Sequence, residues 1–133
     1  KTAYPSHACR AAVLGDPFNF PVSKETGMSC MFLDDVIRSI FEISHAPQVC
    51  LKSHAYNLHG FHFTAQQLCE NLKQVYPGFE YSFEIDPHVE NLVKGWPNEV
   101  ISNSAKLDWN WAPEYNFETS ISAMLDLLTQ GPV

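Results

Sequence analysis

The sequence predicts an α/β domain in which short strands alternate with amphipathic helices, and three observations carry that reading. Phe79-Glu80-Tyr81-Ser82-Phe83-Glu84-Ile85 alternates apolar and polar side chains along its whole length, the period of a half-buried strand. Ala65, Leu68, Cys69, Leu72 and Val75 recur at helical spacing behind a Thr64/Gln67 capping-box pattern. Segments of the two periods follow one another without a repeat, a charge block or a low-complexity linker, which fits an α/β unit and neither a bundle nor a sandwich. Residues 1–133 read as one domain, because a chain of 133 residues that is 45% hydrophobic can bury a core of its own.

Taken in order, Tyr4 to Leu14 form a helix entered through Pro5 and ended by Gly15 and Asp16-Pro17. Phe18 to Val22 alternates like a short strand, and Pro21 assigns it to an edge. A turn around Lys24 to Gly27 leads into an apolar segment, Met28 to Leu33. Asp34 and Asp35 then cap a helix whose apolar positions are Val36, Ile37, Ile40 and Phe41, stopped by Pro47. Ala55 to Leu58 reads as a strand bounded by Gly60. The capping-box helix runs from Thr64 to about Tyr76, where Pro77-Gly78 breaks it, and Pro87 closes the strand that follows. Ser102 to Asp108 form a short helix, and Phe117, Ile121, Met124, Leu125 and Leu128 mark a final amphipathic one.

Charge and composition remove whole classes of function. Eight Lys and Arg against fifteen Asp and Glu give a net charge of -7, the wrong sign for neutralising phosphates, so no nucleic-acid partner is expected. No apolar run approaches the roughly 20 residues of a membrane span, so no membrane is expected either, and no signal peptide opens the sequence. Cys9, Cys30, Cys50 and Cys69 are spread without a C-x-x-C pair, and no N-x-S/T acceptor occurs. That usage points to reduced thiols and to a reducing compartment, cytoplasm or mitochondrial matrix.

Catalytic signatures are missing as well. The six glycines are too far apart for G-x-G-x-x-G or a P-loop, no Tyr precedes a Lys by four residues, and neither G-x-S-x-G nor H-E-x-x-H occurs. The sequence therefore assigns no catalytic and no cofactor-binding residue to this chain. His54, His59 and His62, with Cys50 before them, are the one candidate metal cluster. Their spacing needs a special fold-back to converge, so local hydrogen bonding is the expected role and no metal site is assigned. Trp109 and Trp111 read as packing residues, whereas Trp96, between Gly95 and Pro97, sits on a rigid loop of the kind that presents side chains to ligands.

An ordered series of segments then carries a resemblance. Met31-Phe32-Leu33-Asp34-Asp35-Val36-Ile37-Arg38, Tyr56-Asn57-Leu58, Phe63-Thr64-Ala65, Gly95-Trp96-Pro97 and Asp108-Trp109-Asn110-Trp111 resemble, in order and spacing, the C-terminal part of extended short-chain dehydrogenases. The branch most similar is that of the L-threonine 3-dehydrogenases, and the resemblance covers nearly the whole chain. It implies a substrate-binding lobe whose Rossmann part, carrying NAD and the catalytic Ser, Tyr and Lys, is absent here, so that this chain alone is inactive. By matching position, it implies that Thr2 and Trp96 contact a small amino-acid substrate. Ala3 stands where the family has Asp, Gly95 where the branch has Ser, Val100-Ile101 where it has more polar residues, and Asn110 where it has Gly. Met28 to Met31 lack the Arg with which epimerases hold a nucleotide-sugar diphosphate, which favours a small amino acid. The expected partners are the missing Rossmann part or a second copy of the chain. Alternatives that stay open are the substrate lobe of a sugar-nucleotide epimerase or dehydratase, a non-catalytic interaction module, and a metal-binding module.

Overall fold

A computed structural model describes residues 2–131. The elements follow the order α1 (Tyr4–Leu14), β1 (Phe18–Phe20), β2 (Gly27–Cys30), α2 (Leu33–His45), β3 (Phe61–Thr64), α3 (Ala65–Val75), β4 (Tyr81–Phe83), α4 (Pro87–Lys94), α5 (Asn103–Trp109) and α6 (Phe117–Thr129). The α/β class is as expected, in the form of two separate two-stranded sheets among the described residues. In one, β1 runs parallel to β4 with Phe20 opposite Phe83. In the other, β2 runs antiparallel to β3 with Met28 opposite Phe63.

Local chemistry explains most of the boundaries. Pro5 lies in the first turn of α1, where its missing N–H costs nothing, and Gly15 leaves the helix at φ 74°, while the Asp16 N–H closes on the Ala11 carbonyl at 2.9 Å. The predicted capping box is present: Gln67 N–H donates to Thr64 Oγ1 at 3.2 Å, and Thr64 N–H to Gln67 Oε1 at 2.8 Å. Behind it, Ala65, Leu68, Cys69 and Leu72 face the core, while Val75 at the end of the stripe is exposed. The core gathers Tyr4, Ala8 and Cys9 of α1, Phe20, Phe63, the buried face of α3, and Ile121 and Leu125 of α6, with α1 packed on α6.

Four expectations are corrected. Residues 55–58 are not a strand; the chain becomes one only at β3, whose partner β2 lies inside the stretch read from sequence as a plain apolar segment. Pro87 does not merely end a strand. It opens α4, in the first helical turn, with Asp86 Oδ1 accepting the His88 N–H at 3.0 Å. The strand read as residues 79–85 has ladder geometry only at Tyr81–Phe83, because β1 offers three residues to pair with. Asp34 and Asp35 stand in the first turn of α2, where they suit its positive end, but neither caps it: Phe32 is the N-cap residue, and Asp35 is buried and used elsewhere.

Candidate functional site

Trp96 follows α4 directly, so the placement of that helix decides where its indole stands. Val89, Glu90 and Val93 bury one face of α4, which packs on β2. Gly95 ends the helix, the Trp96 N–H donates to the Val93 carbonyl at 3.0 Å, and Trp96 is left 38% exposed. The indole is therefore at the surface and not a core ring.

Two further contacts hold the loop after it. Ser29 Oγ, on β2, lies 3.2 Å from the Pro97 carbonyl and 2.5 Å from that of Asn98, and its single proton serves one of them at a time. Val100 N–H donates to His59 Nδ1 at 3.4 Å, which requires that nitrogen to be unprotonated.

Glu90 anchors the same helix from inside. Its carboxylate accepts from Ser23 N–H at 3.0 Å, Ser23 Oγ at 2.7 Å and Thr26 Oγ1 at 2.9 Å, and pairs with Lys94 Nζ at 2.6 Å. Burial alone would raise its pKa. The Lys94 ammonium and the Ser23 and Thr26 donors outweigh that and hold it down at about 2. Glu90, Ser29 and His59 were not singled out as loop supports by the sequence. Only the Glu90/Lys94 spacing of four residues was visible in it, and that signal needs α4 to be recognised first.

Thr2 lies half-buried in the turn before α1. Ala3, where the family pattern has Asp, is the N-cap residue of that helix and supplies no side-chain cap. Thr2 and Trp96 thus sit on separate elements, α1 packing mainly on α6, β1 and α3, and α4 on β2. No hydrogen bond or ring contact joins them among the described residues.

A second polar centre ties α2 to the segment after α5. Asp35, 1% exposed, accepts from Arg38 at 2.6 Å and from the backbone N–H groups of Glu114 and Tyr115 at 3.1 and 3.0 Å. Arg38 also reaches Glu42 at 2.6 Å and the Ala112 carbonyl at 2.7 Å, with its guanidinium 4.5 Å from the centre of the buried Trp111 ring. Burial would raise the Asp35 carboxyl, but the Arg38 and backbone donors outweigh it and lower it. As for the histidines, no group of three or more His, Cys, Asp or Glu among the described residues is arranged to hold a metal ion.

No family model matches the sequence. An uncharacterized epimerase/dehydratase of Staphylococcus saprophyticus is 29% identical over 108 residues, which is 80% of this chain and 34% of that protein. The mitochondrial L-threonine 3-dehydrogenase of Bos taurus is 24% identical over 125 residues, covering 94% of this chain and 34% of its own length. The GalE-like L-threonine dehydrogenase of Cupriavidus necator superposes with a TM-score of 0.86 at 28% identity, over 92% of this chain and 44% of that one.

The homologues of this chain are L-threonine 3-dehydrogenases and epimerase/dehydratases. It spans about a third of the length of the curated relatives, and its fold is that of the C-terminal portion of the threonine dehydrogenase-like proteins. Against the D-W-G-W pattern of the dehydrogenase branch, Asn110 stands in the glycine place with φ 60°. A left-handed C-cap explains the exchange, since Asn tolerates that region best after Gly.

Proposed function

We propose that this chain is the substrate side of an NAD-dependent oxidoreductase that converts L-threonine to 2-amino-3-oxobutanoate, with Thr2 and Trp96 in contact with the amino acid. The observation that carries the reading is the fixed, surface-facing Trp96 loop, held by Ser29 and His59 and by the buried Glu90 anchor, in a chain whose relatives include threonine dehydrogenases. In this reading its contribution is orientation: contacts from Trp96 and from Thr2 together restrict the poses of a small polar substrate. This reading puts the nicotinamide cofactor outside the described residues. No strand among them passes through a glycine-rich turn into a helix, and the glycines stand singly. In this proposal NAD is held by the rest of a larger protein.

The same rest of the protein is the natural cover for α2. Ile40 and Phe41 are 62% and 63% exposed on one face of that helix, with Leu33 and Ile37 beside them, and residues 55–58 run nearby in sequence without a β partner. Incubating the chain with NAD and L-threonine should yield no NADH, and NADH production would disprove the assignment of redox chemistry elsewhere. In the complete protein, threonine-dependent NADH formation whose KM rises about tenfold on Trp96→Ala is the supporting result. Turnover of a UDP-sugar and not of threonine would overturn the reading.

That second reading, a sugar-nucleotide lobe, is favoured by the Staphylococcus relatives. It lacks a clamp for a diphosphate: Arg38 is committed to Asp35, Glu42 and Ala112, and Arg10 is exposed on α1. A reducing compartment remains part of the proposal. No described helix is long and apolar enough to cross a membrane.

A further inference from the structure

Neighbouring residues of a strand point to opposite faces, so Cys30 lies on the far side of β2 from Ser29 and its loop contacts. There a groove of about 400 Å³ opens between α1, α6, the end of β2 and the first turn of α2. Its inner residues are the buried Cys9, Phe63 and Ile121, and exposed Leu33, Asp34 and Leu127 form its rim. Apolar walls of this kind accept many things. Two polar features narrow the choice.

Ser120 lines the groove, is 3% exposed, and its hydroxyl has no hydrogen-bond partner among the described residues. A buried hydroxyl left unpaired costs about 1–3 kcal/mol, a penalty that a ligand removes by bonding to it. Asp34 at the rim accepts only a long bond from Tyr115 Oη, at 3.4 Å, so most of its acceptor capacity is free. Beside it Phe32, also a lining residue, stacks on Tyr115 with ring centres 4.4 Å apart and offers a π face to a cation. No described Lys, Arg or His lines the groove. Burial pushes the Cys9 thiol up to about 12 and that of Cys30 to about 11, so both are neutral. Asp34 is then the one charge among the described lining residues that a ligand meets.

We infer that this groove binds a small apolar amine carrying a hydroxyl, with its ammonium on Asp34 and Phe32, its hydrocarbon body against the groove walls, and its hydroxyl on Ser120. An acid of the same shape is disfavoured by the Asp34 carboxylate, with no cation among the described lining residues to offset it. The groove shares no residue with the Trp96 loop or its supports, and only its rim residue Leu33 belongs also to the α2 face assigned above to the rest of a larger protein.

The test is an NMR titration of the 133-residue chain with tyramine, with phenethylamine lacking the hydroxyl, and with 3-(4-hydroxyphenyl)propionate lacking the amine. Tyramine should give saturable shifts at Cys9, Met31 and Ser120. Asp34→Asn should weaken it about tenfold, and Ser120→Ala should erase its advantage over phenethylamine. Asp34 is exposed, so its variant keeps the fold, which circular dichroism checks for both. Equal binding of the propionate, the absence of saturable shifts, or ligand-free shifts at Cys9, Met31 and Ser120 that grow with chain concentration, the mark of a second copy in the groove, would each overturn the inference.

Discussion

Glu90 shows how one buried acid can govern a surface feature nowhere in contact with it. The carboxylate takes donors from Ser23 and Thr26, on the loop leading into β2, and pairs with Lys94 one helical turn on, so α4 is pinned before it delivers Trp96. Its pKa lies below the ordinary value of 4.5, at about 2. A depressed acid contributes its stability fully above the ordinary value and loses it as pH falls toward the folded one. Unfolding of the chain should therefore become easier between pH 4.5 and about 2, and Glu90→Gln should flatten that part of the profile while lowering stability by about 2 kcal/mol at neutral pH. Urea titrations at several pH values check both. A variant as pH-dependent as the parent in that window would assign the acid sensitivity to other carboxylates. Asp35 has the same sign for the same reason. Asp35→Asn leaves the Arg38 guanidinium against Trp111 without its buried counter-charge, and a loss of about 3 kcal/mol is expected at neutral pH.

At the scale of elements, the sequence was most legible where a local signal suffices. The capping box of α3, the Pro5 entry and Gly15 exit of α1, and the stripe of α6 need no distant partner to be read. Strands of three or four residues are different, because their pairing is decided by what lies opposite. Residues 55–58 and β3 carry similar patterns, yet only β3 meets β2, and the turn into it passes so close that a Cβ on Gly60 would sit 2.5 Å from the Cys30 carbonyl oxygen. Pro87 was ambiguous for a related reason: proline closes a strand and opens a helix with equal ease, and only the Asp86 cap distinguishes the two. The C-terminus of α5 gives a sharp test. Asn110 at φ 60° should tolerate Asn110→Gly nearly neutrally, while Asn110→Ala should cost about 1 kcal/mol, read as a shift of the thermal midpoint. Equal midpoints for the two variants would mean that the helix end relaxes out of the left-handed region.

For the molecule as a whole, the candidate site was legible as positions and not as an assembly. A family pattern pointed to Thr2 and Trp96, but the supports of the Trp96 loop come from β2, the segment before β3 and α4, and no spacing along the chain encodes that convergence. The same holds for α2. Its sequence announces an amphipathic helix, yet its apolar face turns outward, with Ile40 and Phe41 more than half exposed, while Ser39 and Asp35 face inward. A stripe of this kind on an isolated chain is adhesive, because removing it from water is favourable whatever covers it. The chain should therefore associate with itself in a concentration-dependent way. Because both side chains are exposed, replacing Ile40 and Phe41 together by Glu should shift the population toward monomer in sedimentation velocity without altering the circular dichroism. If the parent chain sediments as a monomer at high concentration, the outward face of α2 is not adhesive, and its proposed role as the seat for the rest of a larger protein loses its physical basis.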